Sequence, residues 1–352
     1  MRIVTPANEA QREAWRAGVL PDVEQVRPGL WSIPVPIPIN PLRYVLVYAL
    51  ELPDGVAIVD AGWNTDEAYA GLTDGLAKAG YGIGDVRAVL VTHIHPDHYG
   101  LAGRVREESG AWIGLHPADA RLLRERYDDG EIGALVERER ALLVRCGVPP
   151  MDADELAGAS TRIRSFVSMA QPDRLIEDGE PLGLPGWGLR AHWTPGHSPG
   201  HLCFVDEGRR VLFSGDHVLA KITPIVAVHP QSGPNPLADY LDSLGRARAW
   251  DVDEVLPAHE YRFLGLADRV DDVIAHHEER LREIETVLAG ADGLSCWAAA
   301  GMLTWSRPWE TIPAFMRRAA NNETLAHLVW LAAKGLARRV EGEPDLWYPA
   351  SM

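Results

Sequence analysis

The sequence predicts an α+β protein with a small module at its C-terminus. Three observations predict it: β-rich runs separated by turns near the N-terminus, helical spacing alternating with strand-like runs through the middle, and a shift of composition near residue 291. With 352 residues, 46% of them hydrophobic, the chain can bury a sizeable core, as one large domain or a domain with an appendage.

The runs "GLWSIPV" and "YVLVYALEL" read as strands, "PDG" as a turn, and "VAIVDAG" as the next strand. "TDEAYAGLTDGLAKAG" has helical spacing, opens at the N-cap Thr65 and stops at Gly80; "RAVLV" then resumes as a buried strand. At the end of that strand stands "THIHPDHYG", with His93, His95, Asp97 and His98 inside six positions. Pro96 interrupts the ladder there, so the four side chains can converge from a loop instead of alternating between faces. A lone histidine is most often a satisfied polar group, but four crowded ligand types repel protons and desolvate poorly unless a divalent cation compensates them.

Residues 117–172 read as an amphipathic helical insertion placed to cover this end of the sheet. Beyond it, "LRAHWTPGHSPGHLCFVDEGRRVLFSGDHVL" offers His197 in a Gly/Pro turn, a hairpin turning near Glu207 and Gly208, and Asp216 at a strand end. The loop-like 220–236 stretch follows, with Lys221 and Ile222 as candidate pocket residues, together with His217 and His229. "PLADYLDSLGRARAW" reads as a helix, "DEVLPAHE" delivers His259 just past a short strand, and "VDDVIAHHEERLREIETVLAG" is a helix with one apolar stripe.

Composition narrows the function classes. The net charge of -16 disfavours nonspecific binding to nucleic-acid backbones. No apolar stretch is long enough to cross a bilayer, and the start lacks the apolar core of a signal peptide, so a cytoplasmic protein is expected. Cys146, Cys203 and Cys296 are too widely spaced to build a disulfide framework or a CxxC metal knuckle.

With these motifs assembled, the sequence resembles the metallo-β-lactamase fold hydrolases. Five family motifs occur in order: "VAIVDAG" with Asp60, "THIHPDH", "TPGHSPGH", "FSGD" and "PAHE". The resemblance covers roughly residues 25–260 and implies an αββα sandwich with metals at one edge. It implies that His93, His95 and His197 hold one metal, that Asp97, His98 and His259 hold a second, and that Asp216 bridges them. It also implies two zinc ions sharing a hydroxide nucleophile that Asp97 orients, although histidine and carboxylate ligands also accept iron or manganese. Asp60 and His201 fall behind the ligands, with Asp60 hydrogen-bonding near the ligand loops and His201 as a donor.

"TPGHSPGHLCF" and "PAHEY" resemble glyoxalase II and related acyl hydrolases, which implies cleavage of a small acyl-thioester or activated ester. A lactonase, or a nuclease or phosphodiesterase on the same metals, is the alternative. Zinc β-lactamases usually lack the bridging aspartate that stands here as Asp216, which argues against antibiotic hydrolysis. Residues 1–290 are expected to form the catalytic domain, and 291–352 a module resembling the winged helix of lactamase-like hydrolases. In that module "NETLAHLVWLAAKG" reads as a capped helix ending at Gly335, and "LARRVEGEPDLWYPA" as a wing turning at Gly342 to Pro344. The helix carries one lysine against one glutamate and an apolar stripe, which suits packing or a homodimer contact better than DNA reading.

Overall fold

The computed structural model describes residues 4–38, 41–128 and 130–350. In chain order the first part comprises β1 (Thr5–Pro6), α1 (Glu9–Ala17), β2 (Glu24–Arg27), β3 (Leu30–Pro36), β4 (Tyr44–Leu52), β5 (Gly55–Val59), α2 (Asp66–Lys78), β6 (Val86–Leu90), α3 (Pro96–Tyr99), α4 (Ala102–Ser109) and β7 (Trp112–Leu115). The insertion follows as α5 (Pro117–Ala120), α6 (Leu123–Tyr127), α7 (Ile132–Arg145) and α8 (Pro150–Ile163), leading to β8 (Arg174–Leu175). The second part holds β9 (Leu189–Trp193), β10 (Leu202–Asp206), β11 (Val211–Gly215), α9 (Pro236–Ala247), β12 (Glu254–Pro257), β13 (Phe263–Leu264) and α10 (Leu266–Ala289). Last come α11 (Cys296–Met302), α12 (Ala314–Ala333) and the hairpin β14 (Ala337–Val340) with β15 (Leu346–Pro349).

Two mixed sheets result, ordered β2-β3-β4-β5-β6-β7-β8 and β1-β13-β12-β11-β10-β9. Strand β4 explains why they stack. It is apolar on both faces, so Tyr44, Leu46, Tyr48 and Leu50 meet Leu189, Leu202, Phe204 and Phe213 of the second sheet. The alternate residues Val45, Val47 and Ala49 face Leu72 and Leu76 of α2. On the far side Cys203, Val205, Leu212 and Val255 pack against α9, α10 and α12. Helix, sheet, sheet and helix form the αββα sandwich.

Local signals hold for α2, whose N-cap Thr65 accepts a hydrogen bond from the backbone of Ala68, and for the β10–β11 hairpin. One expectation needs correction. The "NETLAHLVWLAAKG" helix begins at Ala314, behind Pro313, and Asn322 is an interior residue. No glycine or proline interrupts "AFMRRAA", so the helix extends backwards, and the Asn322 amide donates a buried hydrogen bond to Glu139 instead of serving a cap. The end near Gly335, in the left-handed region at φ 71°, is as expected.

Candidate metal centre

Four loops and one short helix bring the ligand types to one edge of the sandwich. Strand β6 ends at Leu90, the loop that follows carries His93 and His95, and Pro96 opens α3, which carries Asp97 and His98 in its single turn. His197 lies in the turn between β9 and β10, Asp216 directly follows β11, and His259 lies two residues past β12. Because β11 and β12 run parallel, Asp216 and His259 leave the sheet at the same end.

The side chains converge as two triads sharing a carboxylate. His95 Nδ1 lies 2.9 Å from His93 Nε2 and 3.0 Å from His197 Nε2. His259 Nε2 lies 3.3 Å from Asp97 Oδ2 and 3.3 Å from Asp216 Oδ1. His98 Nε2 lies 3.7 Å from Asp97 Oδ2 and 3.6 Å from Asp216 Oδ2. Asp216 Oδ2 is also 3.5 Å from His197 Nε2, so this carboxylate faces both triads. Among the described residues the groups able to hold an ion are His93/His95/His197, His93/His98/Asp216 and Asp97/His98/His259.

Hydrogen bonding behind the rings shows that the set fits a cation. His98 Nδ1 bonds Asp60 at 2.8 Å, His197 Nδ1 bonds the Ile225 carbonyl at 2.8 Å, and His259 Nδ1 bonds the Tyr44 carbonyl at 2.9 Å. Each ring therefore donates its proton outward and turns a lone pair inward. The inward atoms His98 Nε2, His259 Nε2 and Asp216 Oδ1 are buried with no hydrogen-bond partner. Acceptors packed against acceptors are repulsive unless a positive charge sits among them, and ligand atoms roughly 3 Å apart suit a cation bound at about 2.1 Å from each. Superfamily members generally bind divalent metals, and these residues are the candidates here.

Proton affinities follow the same demand. Burial, with His98, His95 and His197 close by, pushes His93 well below the usual imidazole range, and burial with His197 and Arg126 does the same to His95. Burial also opposes charge on His98 and His259, but Asp60, Asp97 and Asp216 outweigh it at His98, and Asp216 with Asp97 lifts His259 to about 10. One side of the centre presents neutral nitrogen donors, and on the other the carboxylates draw positive charge, either a proton on His98 and His259 or a cation in its place.

Behind the ligands, Asp60 accepts from the Thr92 backbone at 2.8 Å and bonds Thr92 Oγ1, beside its bond to His98. His201 accepts the Asp216 backbone N–H at 3.1 Å through Nε2, and its Nδ1, which then carries the ring proton, donates to Thr194 Oγ1. Two supports are absent from the sequence reading. Asp119 of α5 accepts from Ile94 N at 2.9 Å, Ser198 Oγ at 2.9 Å and Gly200 N at 2.7 Å, tying together the loops that carry His93, His95 and His197. Glu260 accepts from the backbones of Lys221 and Ile222, fixing the loop after Asp216. An aspartate directly after "LHPA" was the available signal for the first, but on sequence alone it looks like any helix-start acid.

The other candidate pocket residues divide. Lys221 places its ammonium over the Trp15 ring at 5.2 Å, and Arg269 grips the carbonyls of Lys221 and Ile222. His217 is fully buried against Tyr240, with both ring nitrogens unpartnered, and burial drops its pKa to about 3. His229 sits in the loop with its Nδ1 accepting from Gln231 N at 3.2 Å.

Comparison with known proteins agrees with this geometry. A "Probable metallo-hydrolase YqjP" of Bacillus subtilis is 29% identical over 262 residues, covering 69% of this chain and 78% of that protein. A metallo-beta-lactamase family protein of Thermus thermophilus superposes with a TM-score of 0.80 at 32% identity, over 92% of this chain and 100% of its own. A beta-lactamase domain protein of Burkholderia ambifaria gives 0.81 at 26% identity, over 99% and 98%. The family model described as the metallo-beta-lactamase superfamily matches residues 40–259, more than half of the sequence, and the chain belongs to that superfamily.

Proposed function

We propose that this hydrolase cleaves an acyl-thioester or related activated ester, with His93, His95 and His197 holding one zinc ion, Asp97, His98 and His259 a second, and Asp216 between them. The observation that carries the reading is the set of buried, inward-facing atoms His98 Nε2, His259 Nε2 and Asp216 Oδ1 without hydrogen-bond partners. A cation pair bound there would lower the pKa of a water and polarise the scissile carbonyl. The nucleophile is then water, because the three cysteines are buried and Cys203 is pushed up to about 12 by burial.

The protein's own groups divide the remaining work. Asp97, carried on the single turn of α3 with Oδ2 3.3 Å from His259, can take the proton of an attacking water. The outward hydrogen bonds of His98, His197 and His259 hold the rings in one tautomer and one orientation. A thiol of pKa about 8.5 leaves without a strong general acid. Residues 291–352 we read as a winged-helix-like module used for packing: Trp347 of its hairpin is 2% exposed and shares a core with α9, α10 and α12.

The test is release of free thiol from a panel of acyl-thioesters by the metal-loaded protein. Turnover is expected, and Asp97→Ala should lower kcat at least about 100-fold with its circular dichroism unchanged. Thioesters left inert while lactones or phosphodiesters are cleaved would overturn the substrate class.

A further inference from the structure

The insertion is fastened onto the metal centre, and one of its half-buried arginines has no ion pair among the described residues. The phenol of Tyr127, last residue of α6, donates to the carbonyl of Ile94, which lies between His93 and His95, at 2.7 Å. The preceding residue, Arg126, reaches across to the loop that follows Asp216, with Nη1 3.4 Å from Gln231 Oε1. Its other contact is with Tyr127 beside it, whose ring lies 5.9 Å away, and among the described residues no carboxylate lies within ion-pair distance. Neighbouring arginines of the insertion differ: Arg124 pairs with Glu131 and Arg138 with Glu125. A half-buried guanidinium with five donors, bonded among the described residues only to Gln231 and the Tyr127 side chain, keeps donors free for solvent or an anion.

Its charge is felt by the Asp119 carboxylate as well as by histidines of the site. The charge of Arg126 acts on His95, and both it and Arg318 of α12 act on His229, whose pKa burial and these cations bring down to about 3. His229 is therefore neutral, and since its Nδ1 accepts from Gln231 N, its proton is on Nε2, where it can donate. Arg318 is itself compensated by Glu139 at 3.7 Å. Arg126 and His229 Nε2 thus keep donors for a ligand.

We infer that Arg126 and His229 form an oxyanion subsite beside the metal centre, and that the substrate bears a carboxylate or phosphate within reach of its scissile bond. The planar guanidinium suits either anion through two parallel hydrogen bonds, and the neighbouring imidazole adds a third donor. The inference rests on the hydrolase reading for the placement of the scissile bond, but the anion site itself is measurable without turnover.

Two measurements separate those claims. Titration calorimetry of succinate into the metal-loaded protein is expected to give a Kd at least tenfold weaker for Arg126→Gln, and an intermediate value for Arg126→Lys, which keeps the charge and the alkyl stem but loses the fork. Metal content measured on all three proteins controls for binding at the centre. Equal Kd values within twofold would overturn the subsite. The second compares kcat/KM for succinyl- against butyryl-N-acetylcysteamine, and for acetyl-coenzyme A against acetyl-N-acetylcysteamine. A preference in the first pair that collapses towards one in Arg126→Gln places the anion on the acyl chain, and the same behaviour in the second pair places it on the thiol carrier. Turnover with neither ratio responding to Arg126 overturns the inference. If no thioester is cleaved, the thioester reading fails and the succinate titration alone decides the subsite.

Discussion

Asp60 shows how one residue joins fold to site. It follows β5 with φ at 62°, a left-handed conformation unusual for a residue other than glycine, and this turns its carboxylate towards Thr92 and His98. The strain is held by hydrogen bonds from the Thr92 backbone, the Thr92 hydroxyl and the His98 ring, and the result is a fixed His98 ring. Asp60→Asn is expected to weaken metal affinity by roughly 10–100-fold while leaving the fold intact, read by competition with a chromogenic chelator. Asp119 acts more broadly, because its carboxylate satisfies two backbone N–H groups and a hydroxyl in the interior. Asp119→Ala strands those donors and should cost about 3 kcal/mol of unfolding free energy in urea, with reduced metal retention. Asp60 was legible because it stands in a motif of recognisable order. Asp119 and Arg126 were not, since a helix-start acid and an exposed-looking arginine carry no local mark of the loops they will meet.

At the scale of elements, parallel strands place the ligands and the helices lock the arrangement. His277 of α10 and His327 of α12 meet through Nδ1 and Nε2 at 3.1 Å in the interior. Burial, with a smaller contribution from Arg280, pushes His327 down to about 4, and burial with His327 beside it pushes His277 well below the usual imidazole range. The folded protein thus keeps these rings neutral at pH values where the unfolded chain protonates them, below about 6.5. The unfolded state binds more protons in that window, so stability is full above pH 6.5 and falls as pH drops towards 4. Glu323 works in the opposite sense, since burial lifts it to about 7. The His327→Gln variant isolates one contribution: between pH 6.5 and 5 wild type should lose roughly 1–2 kcal/mol more unfolding free energy than the variant. Equal losses would remove His327 from the account. Helix α12 also marks where local reading stops: Asn322 looks like a cap in sequence, and only Glu139, far away in the chain, explains why it is not one.

For the whole molecule, "YVLVYALEL" was legible as a strand, although its burial on both faces shows only in the fold, and the order of the metal motifs implied the edge where they would gather. The second layer of helices was harder to foresee. Leu325, Leu328 and Leu331 of α12 and Trp347 of the hairpin join Val205, Leu212 and Val255 in one core, contacts between segments far apart in the chain that no local pattern announces. No helix among the described residues is long and apolar enough to cross a membrane, and the large apolar side chains are mostly buried. The folding of this chain thus converts two separated sets of loops into one acceptor-rich cluster. That cluster is the central claim, and elemental analysis of the purified protein tests it most directly. Two equivalents of divalent metal per chain are expected, falling towards one or none when Asp216→Ala removes the shared carboxylate. Less than one equivalent in wild type after reloading with zinc, iron or manganese would contradict the account.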